Sequence, residues 1–427
     1  MRENDMRFVW LPACASLLVG CLAAADAADQ APLTWDEVRA RFTANNPTLR
    51  AGEIGLDESR ADEITAHLRP NPQLSVTADQ AALSRPADGS GRFDNVVTVG
   101  SVNYLIELGH KRSLRLASAR GATAVAISQQ ADLDRTLVFT LRQAFAQLLQ
   151  AKAFLAVAVE EIADYDKLLA ISRDRLRAGD IAQIDLDRLE LQRVAYESDL
   201  QTATVNVRTA KIQLIALLNE RAVAVEQFDV TGPYDFVSPV LKLEDLREKA
   251  IKARPDLRAA LQSVEKARTD HRLAVANGTW DPTLGVDVGW PRSAGEAKYF
   301  GFGISVPLRL FDRNQGEKKK TELDIDRSDR LADATRAQVV SDVDSAYATL
   351  MSTVAQLQPY RDSYLARSTR VRDTVTFSYQ RGGAALVDFL QAQQEYRTVQ
   401  VAYVNLVAAF LNAAAQLNLA VSQEVIP

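Results

Sequence analysis

Cysteine and histidine are almost absent from these 427 residues, with two of the first and three of the second. So small a set leaves little from which to build a soft-metal site, and no cofactor is expected. Both cysteines, Cys14 and Cys21, sit in the apolar N-terminal stretch. A processed chain therefore keeps at most one, and no intrachain disulfide can form. Aromatics are 7% of the chain and Gly and Pro are sparse, which favours long helices over a sheet-rich core. Basic charge is not in excess: a net charge of −5 excludes the footprint of a nucleic-acid binder. No run of about 18 apolar residues follows the N-terminus, so no helix is expected to span a bilayer. Nucleophile–base pairs, phosphate-cradling glycine loops and the two helical Glu-x-x-His motifs of di-iron bundles are missing too, so no enzymatic activity is expected.

What is present begins with a leader. "MRFVWLPACASLLVGC" (6–21) carries an Arg and then an apolar run of secretory-signal type, with Met6 an alternative start. The run ends in Leu18-Val19-Gly20-Cys21, which resembles a bacterial lipobox whose Cys becomes the acylated first residue. The alternative is cleavage near Ala25–Ala27, which discards Cys21. Residues 1–20 are read as the signal peptide and 21–33 as a linker.

The remainder is written twice. "NPTLRA" (46–51) returns as "RPDLRA" (254–259), and "NPQLSV" (71–76) as "DPTLGV" (281–286). "AFAQLL" (144–149) matches "AYATLM" (346–351), and "RAGDIAQIDL" (177–186) echoes "RGGAALVDFL" (381–390). Leu141, Leu148, Leu155, Ile162, Leu169 and Leu176 recur every seven residues, and Val343, Leu350, Leu357, Tyr364, Val371 and Ser378 repeat that stripe 202 positions later. The repeats are placed at 34–228 and 242–421, joined by a linker at 229–241 and followed by a tail at 422–427. Each half reads short helix, helix, β-hairpin, long helix, tight turn, long helix.

Strands are expected near 72–83 and 94–106, and again near 280–290 and 299–308. Val286, Val288 and Trp290 alternate with Gly285, Asp287 and Gly289; Phe300, Phe302, Ile304 and Val306 alternate with Gly301, Gly303 and Ser305. Such alternation fits a transmembrane barrel, and equally a pair of half-buried soluble hairpins. Four strands cannot close a barrel, and open edges are not tolerated in lipid, so a barrel needs several chains: two give eight strands, three give twelve. Behind each hairpin the chain turns basic, at "ELGHKR" (107–112) and "LFDRNQGEKKK" (310–320), and then enters a helix. Lys111 to Arg177 has no proline and would extend ~100 Å at 1.5 Å per residue. Gln315 to Arg381 is interrupted only by Pro359, where a kink or a local loosening is expected.

The duplicated layout, the hairpin placement and the paired "NP-x-L" and "RPDL" segments resemble the TolC family of outer-membrane factors over nearly the whole mature chain. "ELGHKR" and "LFDRNQGE" look most like its heavy-metal efflux branch, typified by CzcC, although His110 replaces a glycine there and suggests no metal ligand. The resemblance implies a mainly α, duplicated chain forming a trimer: a twelve-stranded outer-membrane β-barrel continued by a long α-helical coiled-coil periplasmic tunnel. It implies a passive conduit for substrate, heavy-metal cations in this branch. A periplasmic adaptor (membrane-fusion protein) and an inner-membrane resistance-nodulation-division transporter would be the partners.

On that reading Gly109, Lys111, Arg112, Pro307, Arg313 and Asn314 mark the strand-to-helix junctions, where strands leave outer-membrane lipid. Lys111, Arg112, Arg115 and Lys318 to Lys320 would lie near the phosphate surface. Arg177, Gly179, Asp180, Arg381, Gly382 and Gly383 form the turns at the periplasmic tip, with the glycines supplying the reversals. Asp388 matches a constriction carboxylate of the family; Gln391 stands where some members have a second Asp, and Ala384 where they have an Arg that locks the closed state. A duct for drug efflux or protein secretion is the runner-up. A periplasmic coiled-coil adaptor or scaffold is a third reading, disfavoured because adaptors have one helical hairpin and this chain has two.

Overall fold

The computed structural model describes residues 31–84, 89, 91–292 and 296–426. The expected signal peptide and Cys21 therefore lie outside the described residues, as does Pro427. The first half is α1 (Trp35–Asn45), α2 (Pro47–His67), β1 (Gln73–Asp79), β2 (Val97–Leu105), α3 (Lys111–Ala178) and α4 (Gln183–Leu218). The second is α5 (Leu243–Ala253), α6 (Pro255–Asn277), β3 (Thr283–Pro291), β4 (Tyr299–Ser305), α7 (Gln315–Pro359), a π-helical turn (Tyr360–Tyr364), α8 (Leu365–Gln380) and α9 (Leu386–Val421). The element order is the same in both halves, except that the counterpart of α3 is divided into α7, the π-helical turn and α8.

The twin "NP" and "RP" segments break the helices in the same place by different chemistry. Asn46 caps α2 by accepting from the Thr48 and Leu49 amides at 2.9 and 3.1 Å, with Pro47 at the first helical position. Arg254 precedes Pro255 in the same way, but it is buried and bonded to Asp256 and Asp342 at 2.6 and 2.7 Å. The N-terminal segment is tied to the linker by two backbone bonds of 2.9 Å, Leu33 N–H to Asp229 O and Thr231 N–H to Leu33 O.

The four strands form one antiparallel sheet in the order β1-β2-β3-β4, so β1 and β4 are its edges. Even-numbered residues share one face: Leu74 and Val76; Val102; Leu284, Val286 and Trp290; Phe300, Phe302 and Ile304, all exposed. Odd-numbered residues share the other, including Ser75, Thr77, Ser101, Asn103, Asp287, Gly301 and Ser305, with Ser75 and Ser101 hydroxyls 2.7 Å apart. Among the described residues, no core covers the apolar face.

The long helices carry the cores. Leu141 and Leu148 of α3 pack with α1, α4 and the linker, while Val343, Leu350 and Leu357 of α7 pack with α5 and α9. The second heptad stripe does not run on as expected. Beyond Leu357 its members Tyr364 and Val371 are exposed, and the buried position moves to Tyr379. The cause is the π-helical turn after Pro359, whose wider winding holds an extra residue and shifts the later stripe by one. α9 is long and apolar enough to cross a bilayer, but 56% of its most apolar window is buried inside the protein, against α3, α7 and α8.

Candidate functional site: junctions and helix tips

The first junction is built by two consecutive left-handed residues, Gly109 (φ +69°) and His110 (φ +60°), which turn the chain sharply out of the sheet and into α3. Lys111, the first helical residue, is only 4% exposed. Its ammonium donates to Asp281 Oδ2 at 2.6 Å and to Thr279 O at 2.9 Å. The other oxygen of Asp281 accepts from the Leu108 amide at 2.8 Å. Thus the residue just ahead of β3 clamps the exit of β2. Arg115 is likewise occupied, forming a bidentate pair with Glu107 that holds the guanidinium more basic than usual.

These contacts occupy part of the basic patch: Lys111 is buried beside Asp281, which gives it an internal partner. Lys319 and Lys320 are exposed but lie against Glu322 and Glu317 at 2.9 and 3.0 Å. Arg112 is half-buried and Arg313 exposed.

The second junction uses Asn314 (φ +60°) as the left-handed cap of α7. Its side chain donates to Ala274 O at 2.8 Å, and its amide donates to Asp312 Oδ1 at 2.8 Å. Pro307 is exposed, two residues past the end of β4.

At the opposite end, Gly179 (φ +83°) ends α3, and Asp180 N–H returns to Arg175 O at 2.9 Å. In the second tip only Gly382 (φ +76°) takes the left-handed conformation. Gly383 does not, so the expected paired role of Gly382 and Gly383 reduces to one residue; Gly383 instead donates to Ser378 O at 2.8 Å. Arg177 pairs with Asp174 at 3.0 Å, both exposed, and Arg381 stacks over Phe377 at 4.1 Å. Arg175 fastens the two tips together, donating to Tyr379 O at 2.7 Å.

Asp388 and Asp185 occupy the same place: each is the third residue of its helix, after N-caps Ala385 and Ala182. Asp388 accepts weakly from Ala385 N–H at 3.4 Å, and Ala385 has no side-chain acceptor to complete a capping box. The carboxylate remains exposed. Gln391 lies one turn on and donates to Glu395 Oε1 at 2.9 Å. Glu395 was missed in the sequence, although its spacing of seven from Asp388 places it on the same face.

Behind the tips lies a cavity of about 250 Å³ between α3, α4, α8 and α9. Glu161 lines it with Oε1 buried and unpaired among the described residues, while Oε2 lies 3.7 Å from Arg397 Nε. Arg397 also bonds Asp199. Burial pushes the Glu161 carboxyl up to about 7, against the pull of Arg397.

Two segments of the chain, residues 39–224 and 246–423, match the family profile described as "Outer membrane efflux protein". The cobalt-zinc-cadmium resistance protein CzcC of Cupriavidus metallidurans is 24% identical over 394 residues, covering 91% of this chain and 89% of that protein. Among solved structures, the outer-membrane channel OprN superposes with a TM-score of 0.76 at 16% identity, covering 91% of this chain and 89% of that one. VceC of Vibrio cholerae gives 0.75 at 16%, with 91% and 96% covered. CusC gives 0.75 at 16%, with 91% of each chain covered.

Proposed function

Because the chain belongs to the outer membrane efflux protein family, we propose that three copies pool their hairpins into one twelve-stranded barrel, continued by their helices into a periplasmic tunnel. The observation that carries this reading is the sheet itself. Its even-numbered face, apolar on β1, β3 and β4, its odd-numbered face, small or polar apart from Val97, Val99, Leu105, Pro291 and Tyr299, and its two edges, unpaired among the described residues, suit lipid outside, water inside and neighbours on either side.

The cargo is heavy-metal cations. Likeness to CzcC over most of both chains supports that choice. The chain is a passive conduit: a periplasmic adaptor meets the tips, and an inner-membrane resistance-nodulation-division transporter supplies the energy. In the trimer Asp388 repeats three times around the axis at the constriction, with Gln391 and Glu395 above it, and such rings favour cations. Cys21 carries the lipid anchor; a fatty-acid probe should label the wild type and not Cys21→Ser.

Deleting the gene should raise cell-associated zinc, cobalt and cadmium in medium containing those ions, and the full-length chain should restore export. Unchanged metal content together with greater sensitivity to organic drugs would replace this reading with a drug-efflux duct.

A further inference from the structure

We propose that the open edges of β1 and β4 join between two copies of this chain in one fixed register, with Ser305 of one copy opposite Ser75 of the next. This rests on the barrel reading above and adds to it the strand alignment and the contacting helices.

The alignment follows from the duplication. In the first hairpin Gln73 faces Asn103; in the second Thr283 faces Ser305. Gln73 and Thr283 hold the same place in the "NPQL" and "DPTL" segments, so β1 maps onto β3 and β2 onto β4. The chain thus already contains one joint between its halves, β2 against β3, with Asn103 opposite Gly285. Moving that joint on by one repeat puts β4 against the next copy's β1. Asn103 becomes Ser305 and Gly285 becomes Ser75.

Three features of the molecule agree with this register. First, it keeps the faces intact: Val306 meets Leu74, Ile304 meets Val76 and Phe302 meets Ala78, all on the even-numbered apolar face. Second, it explains Pro307. In the internal joint, Ile106 N–H bonds Pro282 O at 2.8 Å and Arg292 N–H bonds Val96 O at 2.9 Å, so even-numbered residues make the ladder bonds there. Pro307 is odd-numbered. Its missing N–H would have pointed toward β3, which begins only at Thr283, so the intersubunit ladder loses nothing.

Third, the helices are left open on the same sides. α2, α3, α6 and α7 pack in that order, mirroring the strands. The outer flanks expose Ile54 and Ile64 on α2, and Leu323 and Leu331 on α7. Carried on by one repeat, the α3–α6 contact becomes α7 against the next copy's α2, and the α3–α9 contact sets α7 and α8 against its α4. The exposed Leu191, Val194 and Val205 of α4 are then covered.

The test is disulfide trapping in isolated membranes with the full-length chain. Asn103 and Gly285 sit at a position without ladder bonds, where Cα atoms approach to ~4.5 Å, within disulfide range. Ser75→Cys with Ser305→Cys should therefore convert most of the monomer band into dimer and trimer under mild oxidation. The pair shifted by two residues, Thr77→Cys with Ser305→Cys, places its Cα atoms ~7–8 Å apart and should not. Each single variant should stay monomeric on the denaturing gel. Cross-linking through 77 and 305 in place of 75 and 305 would overturn the register while leaving the barrel standing. So would a particle of trimer mass in detergent with neither pair trapped. A particle of monomer mass would overturn the barrel reading beneath it.

Discussion

α4 and α9 are the same element written twice. Each has 36 residues, follows an alanine N-cap and forms the second long helix of its half. Yet α9 buries 14 residues and α4 only seven. α9 packs closely against α3, α7 and α8, whereas α4 packs closely against α3 and the end of α1, with Asp199 also reaching Arg397 of α9. On the trimer proposed above, the difference reflects a neighbour supplied by another copy: α9 lies against α3 of the preceding repeat, and α4, in the first repeat, has no preceding repeat within its own chain.

Where the halves diverge inside one chain, substitution should show it. The largest contrast is between Leu169, 1% exposed, and Val371, 40% exposed, which are equivalent by heptad count but separated in role by the π-helical turn. Leu169→Ala should cost about 2–4 kcal/mol and Val371→Ala less than about 0.5, measured by denaturant unfolding. Equal losses would mean that the stripe continues unshifted.

The junctions give the next contrast. Lys111 and Gln315 both open their helices, but only Lys111 is buried against a carboxylate. Lys111→Ala should cost about 2 kcal/mol, less than a fully buried pair because Asp281 keeps the Leu108 amide; Gln315→Ala should cost about 0.5 or less. Similar costs would show that the clamp contributes little.

Asp388 and Asp185 should differ in conduction and not in stability. Asp388→Ala should weaken cation preference in planar-bilayer recordings and reduce block by di- or trivalent cations. Asp185→Ala should change both less. The reverse outcome would assign the constriction to the other helical hairpin.

The smallest effect is the pH response of the cavity behind the tips. Glu161 is faced by Glu160 and Tyr165 from α3, Tyr196 and Asp199 from α4, Arg372 from α8, and Tyr396 and Arg397 from α9. A carboxyl raised from 4.5 to about 7 favours the native state when protonated. That contribution is complete below about pH 4.5 and is lost as pH climbs to 7. Melting temperature should therefore fall between pH 5 and 8 in wild type, with a shallower slope in Glu161→Gln. Identical slopes would show that Arg397 keeps Glu161 ionised throughout.

Much of the architecture was legible because the duplication repeats local signals. Pro47 and Pro255 mark helix starts, alternation marks the strands, and Gly179 and Gly382 mark the tips. The π-helical turn was not legible, since Pro359 announces a disturbance without saying whether the helix kinks or takes in a residue. The burial of Lys111 depends on Asp281, 170 positions away, and a local run of basic residues carries no trace of it. Glu161 was hidden beside the apolar stripe position Ile162, where a carboxylate ordinarily reads as solvated. Asp388 was found by resemblance, and Glu395 on the same face was passed over because the family pattern drew attention to Gln391.

The central claim is that one chain is a third of a channel. Native mass spectrometry of the detergent-extracted, full-length protein tests it most directly. The account predicts a single species of three chains that retains its helical content. A stable monomer of the same content, or a particle of two chains with its eight strands, would contradict it.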